Sequence, residues 1–195
     1  MIIGIDFDNT LVSYDRLFHR VALERGLIPE SVAPRKNDVR DFLRRAGREP
    51  AWTEMQGVVY GPRLTEAEAY PGALDFIVAA GQLGHGIRIV SHKTRHPYLG
   101  EKYDLHAAAR GWIARYCPSL SETEAFLEPT KEEKLARIGL CGCAAFIDDL
   151  PEILASPLFP SPTRPILFDP ADALGAAWPG ERHSSWHTLS QELLA

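Results

Sequence analysis

The spacing of apolar residues changes twice along the chain. From Met1 to Asp6 three isoleucines (Ile2, Ile3, Ile5) form a short β-branched run cut off by polar residues, which predicts a buried strand. From Ser13 to about Pro71 the period becomes helical. Leu17, Phe18, Val21 and Ala22 share one face of a segment ending near Gly26, and Val39, Phe42 and Leu43 share the face of a second ending near Gly47. Trp52 to Tyr60 predicts a third helix, stopped by Gly61-Pro62, and no clear strand pattern intrudes before Pro71-Gly72.

Beyond Gly72 strands and helices alternate. Helices are expected over residues 73–83, 105–116 and 131–138, with a further one starting near Pro151. Strands are expected over 87–90, 125–127, 144–147 and, last, 165–168. Pro-rich Ser156 to Pro165 reads as a loop. Such alternation predicts a doubly wound α/β domain with a parallel sheet and right-handed crossovers. Residues 1–12 and 72–195 form its expected core, and residues 13–71 a small helical insertion.

Composition narrows the class. A hydrophobic content of 45% supports a real core, and a net charge of -5 lacks the clustered cationic excess that nucleic acid requires. A small anionic ligand is still compatible, because a local site can be positive on a negative protein. No stretch approaches the ~18 apolar residues of a membrane span, and the N-terminal run is too short for a signal peptide. Cys117, Cys141 and Cys143 are an odd set without zinc spacing, so reduced thiols in a cytoplasmic protein are expected. Trp112, Trp178 and Trp186 read as packing residues.

Ligands of an open parallel sheet bind beyond the carboxyl ends of its strands. The first strand ends in Asp6-Phe7-Asp8-Asn9-Thr10, another in Ser91 and another in Asp148-Asp149. Carboxylates gathered on one rim repel one another unless a cation sits among them, and oxygen-only ligation suits Mg²⁺. An ionised Asp6 can then attack phosphorus, with Asp8 as general acid and base. The phosphoryl oxygens also need donors and positive charge. Ser91 and Lys134 supply them. Lys131, one turn earlier, competes with Lys134 for this role, and Lys134 is favoured because the apolar face begins directly after it. The basic loop His92, Lys93, Arg95 and His96 fits either a substrate grip or a solvent-facing loop.

These residues resemble the haloacid dehalogenase-like (HAD) superfamily. Asp6-Phe7-Asp8-Asn9-Thr10 is similar to its DxDxT signature, and Ile89-Val90-Ser91 to its second motif. Lys134 with Leu135 and Ile138 resembles the third, and Phe146-Ile147-Asp148-Asp149 the acidic fourth. The resemblance implies Asp6 as nucleophile and Mg²⁺ ligand, and Asp8 as acid/base with its backbone carbonyl on the metal. It implies that Thr10 orients Asp8, that Ser91 and Lys134 hold the phosphoryl group, and that Asp148 and Asp149 hold the metal. Members that cleave carbon–halogen or phosphonate bonds generally lack the second aspartate, so Asp8 implies a phosphatase or phosphomutase. The insertion resembles the family's C1-type cap. The expected partner is a small phosphorylated metabolite. A receiver-like phosphate-binding protein is the reading from another class, and the helical insertion argues against it.

Overall fold

The computed structural model describes residues 1–195, apart from the side chain of Ala176. In chain order the strands are β1 (Ile2–Ile5), β2 (Val12–Ser13), β3 (Glu68–Ala69), β4 (Gly86–His92), β5 (Ala125–Glu128), β6 (Ala145–Asp148), β7 (Arg164–Phe168) and β8 (Glu181–His183). The α-helices are α1 (Asp15–Glu24), α2 (Lys36–Arg45), α3 (Glu49–Tyr60), α4 (Ala73–Gln82), α5 (Leu105–Tyr116), α6 (Lys131–Leu140), α7 (Pro151–Leu154) and α8 (Trp186–Leu193). Among the described residues no helix is long and apolar enough to cross a membrane.

Six strands form one parallel sheet in the order β5-β4-β1-β6-β7-β8. The chain builds outward from β1 through β4 to β5, then returns to the other side of β1 for β6. The strand order thus reverses beside β1, and in open parallel sheets ligands bind outside the carboxyl ends at such a switch point. A central parallel strand is covered on both faces and must be apolar throughout, as β1 is: Ile3 and Ile5 are fully buried. Gly4 is required by close approach. A Cβ there would meet Phe146 Cδ2 at 2.4 Å and Cys143 Sγ at 2.8 Å.

The two faces have separate cores. Val90, Leu135, Ile138, Phe146, Ile153, Leu154 and Leu167 pack together where α6 and α7 cover the sheet. On the other face Trp186 lies 5.1 Å from Phe76 and 5.6 Å from Phe168, ring centre to ring centre, so α4 and α8 form the second layer. Helix α6 opens with a reciprocal capping box, the Thr130 hydroxyl accepting from Glu133 N while Glu133 accepts from Thr130 N.

Several elements differ from the sequence expectation. The short strands β2 and β3 bracket the helical block, which the apolar pattern reads as strand-free. The sheet continues past residues 165–168 into β8, and α8 follows. Strand β8 escapes a periodicity argument because Glu181-Arg182-His183 carries no apolar alternation: it is a half-exposed edge strand of charged residues, the composition edges favour.

The chain divides into two compact units. The first contains Met1–Val12, Ala69–Lys93 and Ala114–Ala195, and so holds the whole six-stranded sheet. The second contains Ser13–Glu68 and Thr94–Ile113, so a segment that the sequence pattern joins to the core belongs with the helical block. Within this second unit α1, α2 and α3 pack on one another, Phe18 stacks on Trp52 at 4.8 Å, and Trp112 Nε1 donates to the Ala67 carbonyl at 2.9 Å.

Candidate active site

The residues that end β1, β4 and β6 converge. Asp6 N donates to the Ile147 carbonyl at 2.9 Å, extending the β1–β6 ladder one step and setting Asp6 beside the end of β6. The chain then turns sharply. Val12 N donates to Phe7 O and Asn9 N to Val12 O, both at 3.0 Å, and Asn9 takes a φ of 62°, the left-handed region that Asn tolerates best among residues with a side chain. This turn holds Asp8 and Thr10 over the rim.

Asp6 is buried, and its Oδ1 accepts from two groups, the Ser91 hydroxyl at 2.9 Å and Lys134 Nζ at 2.6 Å. Lys134 Nζ also reaches Asp148 Oδ2 at 2.7 Å, while Asp148 Oδ1 accepts from Leu150 N at 3.0 Å. A helix reaches this point because Leu135 and Ile138 bury against the sheet, which directs the preceding Lys134 under the strand ends. The rival Lys131 lies on the surface, ion-paired with Glu152.

The Asp6 carboxyl is raised to about 7, chiefly by burial, with Lys134 opposing and Asp148 and Asp8 adding to the rise. Burial alone would lower the Lys134 ammonium, but Asp148 and Asp6 outweigh it and hold that group above its ordinary value.

Thr10 is fully buried, and its hydroxyl donates to Asp149 Oδ1 at 3.4 Å. The cation on Asp8 is Lys93. Its Nζ contacts Asp8 Oδ1 at 3.0 Å and Oδ2 at 2.7 Å, the Lys93 side chain is only 3% exposed, and the ammonium stands 5.6 Å from the centre of the Phe7 ring. The apolar pattern gives no sign of this burial. A period-2 argument does: Lys93 N donates to Glu128 O at 2.8 Å, so the chain stays extended and Lys93 repeats the direction of Ser91. The other basic residues of the segment behave differently. His92 bonds the Pro129 carbonyl, its pKa lowered chiefly by burial, and Arg95 pairs with Asp104 near the surface.

Asp6, Asp148 and Asp149 each offer a carboxylate oxygen within 4.8 Å of the others. All three donors are carboxylate oxygens, the ligand type that a hard cation prefers. Charge agrees. When ionised, the four carboxylates of Asp6, Asp8, Asp148 and Asp149 face two ammonium groups, Lys93 and Lys134, and the remaining excess of two negative charges matches one divalent ion.

No family model and no curated protein matches the chain. Solved structures do. The chain is similar to a HAD-family hydrolase from Deinococcus radiodurans R1 with bound phosphate and sodium, at 15% identity and a TM-score of 0.61 over 98% of this chain and 94% of that one. It is similar to a HAD hydrolase of family IA, variant 3, from Entamoeba histolytica HM-1:IMSS, at 11% identity and 0.61 over 98% and 96%. A dehalogenase structure matches at 11% identity and 0.60 over 100% and 97%. The fold is therefore that of the HAD-superfamily hydrolases, a six-stranded parallel sheet flanked by helices.

Proposed function

We propose that this chain is a Mg²⁺-dependent phosphatase that cleaves a small-molecule phosphate monoester through an aspartyl-phosphate on Asp6. The supporting observation is the setting of Asp6: one carboxylate oxygen gripped by both Ser91 and Lys134, with Asp148 and Asp149 beside it and Asp8 two residues on. An Asp6 oxygen attacks phosphorus as the bond to the leaving oxygen breaks, and Asp8 gives that oxygen a proton. Asp8 then takes a proton from water, which attacks the phosphoryl-aspartate and releases phosphate and free Asp6. Ser91 and Lys134 offer donors to the phosphoryl oxygens. Asp6, Asp148, Asp149 and the Asp8 backbone carbonyl would hold Mg²⁺, which when bound favours the ionised nucleophile and neutralises phosphoryl charge.

The phosphate bound by the Deinococcus neighbour supports the substrate class. Dehalogenation is the weaker reading, because a halide leaves without a proton and so does not use Asp8 as an acid. The helical insertion over residues 13–71 would correspond to the family's C1-type cap. Three free thiols suit a reducing, cytoplasmic setting.

The test is hydrolysis of p-nitrophenyl phosphate and a panel of phosphorylated metabolites, with Mg²⁺ and with EDTA, by the wild type and Asp6→Asn. Phosphate release that requires Mg²⁺ and vanishes in Asp6→Asn is expected, since an amide is a poor nucleophile and a weaker ligand. Full activity in EDTA, or in the variant, overturns the proposal. Transfer of phosphate within the substrate in place of its release would identify a phosphomutase.

A further inference from the structure

We propose that Lys93 is a positioning residue for the acid/base step: by spanning both oxygens of Asp8 it fixes the direction in which that carboxylate faces the reacting phosphoryl group. The inference deepens the phosphatase reading and rests on it. Lysines are almost never fully buried without a partner. Lys93 is 4% exposed, and its ammonium contacts both Asp8 oxygens. Of the cations near the cluster, Lys134 is engaged with Asp6 and Asp148, which leaves Lys93 as the ammonium of the Asp8 side.

The chemistry of an aspartate explains why such a contact matters. Its terminal torsion is broad and roughly two-fold, so the rotamer alone does not fix the plane of the carboxylate. Asp8 sits on a turn after β1, its side chain 21% exposed, with water free to compete for its oxygens. One donor on each oxygen removes that freedom. The donor itself is well anchored, because Lys93 continues the β4–β5 ladder through its backbone bond to Glu128 and lies over the Phe7 ring. An acid that must meet first a leaving oxygen and then a water gains from a fixed orientation. A direct grip on phosphate by Lys93 is disfavoured, since its ammonium is already held at 2.7 and 3.0 Å by Asp8.

The test uses steady-state kinetics with p-nitrophenyl phosphate and Mg²⁺ on wild type, Lys93→Met, Lys93→Arg, Asp8→Asn and the double variant Asp8→Asn/Lys93→Met. Lys93→Met should lower kcat by about 100-fold with KM little changed, the size expected for a misplacement of about 1 Å. Lys93→Arg, which keeps the charge and the donors, should retain more activity than Lys93→Met. In the Asp8→Asn background Lys93→Met should change kcat by less than about 3-fold, because nothing remains to be positioned. That pair also carries the test if Lys93→Met alone folds poorly, since the double variant leaves no unpaired carboxylate. An equal loss in both backgrounds, a raised KM with kcat intact, or an unaffected Lys93→Met overturns the proposal while leaving the phosphatase reading standing. Wild type inactive on every phosphate sinks that reading and this inference together.

Discussion

Lys93 Nζ lies 3.0 Å from Asp8 Oδ1 and 2.7 Å from Asp8 Oδ2, joining the end of β4 to the turn after β1 across 85 residues of sequence. Lys134 makes a parallel link, from α6 to Asp6 and Asp148. Each ammonium thus serves its own part of the carboxylate cluster, one the proposed nucleophile and the other the proposed acid/base. The roles assigned to Asp6 and Asp8 can therefore be tested apart.

Asp8→Asn should separate the two half-reactions. General acid–base catalysis contributes ~10²–10⁴-fold, and an alkyl phosphate, whose leaving oxygen needs the proton, should lose the most. An aryl phosphate leaves readily, so its first step is spared and phosphorylated Asp6 should accumulate under rapid quench. Steady-state rates for both substrates, compared as transition-state free energies, decide the matter. Equal slowing of the two with no phosphoenzyme would assign Asp8 a structural role.

Lys134 and Lys131, three residues apart on one helix, should respond very differently to replacement. Lys134→Met strands the buried Asp6 and Asp148 carboxylates, a loss of about 3–5 kcal/mol for a broken buried pair. Lys131→Met removes only an exposed ion pair with Glu152, at most about 1 kcal/mol, and should leave turnover unchanged. Thermal unfolding in chelator measures the first difference and an aryl phosphate assay the second. Similar melting temperatures for the two variants would contradict the burial of Lys134.

The thiols give a test that is independent of chemistry at the rim. Burial raises Cys117 to about 11 and Cys143 to about 12 from an ordinary 9.0, so native protein at pH 8 should resist alkylation at both. Denaturant should expose all three cysteines. Because the folded state keeps protons that the unfolded chain releases, their contribution to stability is whole below about pH 9. It is lost as pH rises through the folded values. Cys143→Ala should therefore flatten the fall in stability between pH 9 and 12; an identical slope would show that the thiol is not shielded.

Much of the rim is legible in the sequence because strand ends are marked by an abrupt change of polarity. Ile5 to Asp6 and Ile147 to Asp148 are such changes, and the Leu135–Ile138 spacing orients Lys134. Pairing between distant side chains is not marked in that way. Nothing in the order of residues joins Lys93 to Asp8 or Thr10 to Asp149, and a lysine surrounded by His92, Thr94 and Arg95 has the composition of a solvated loop. Strand β8 is hidden for a related reason: its residues satisfy an edge, where polarity carries no period. Thr94–Ile113 joins the helical unit through contacts that no local pattern records.

The place of β1 in the sheet bears on how the chain is made. It precedes both of its neighbours, which begin at Gly86 and Ala145, so during translation it emerges with both hydrogen-bonding edges open. Asp6 and Lys134 are 128 positions apart, so the cluster closes only after α6 has left the ribosome. Such long-range closure slows folding and prolongs the exposure of an isoleucine-rich strand able to pair with other chains. Helices α1 to α3, encoded directly after β1, pack on one another through local contacts and are able to form while the sheet is still waiting for strands.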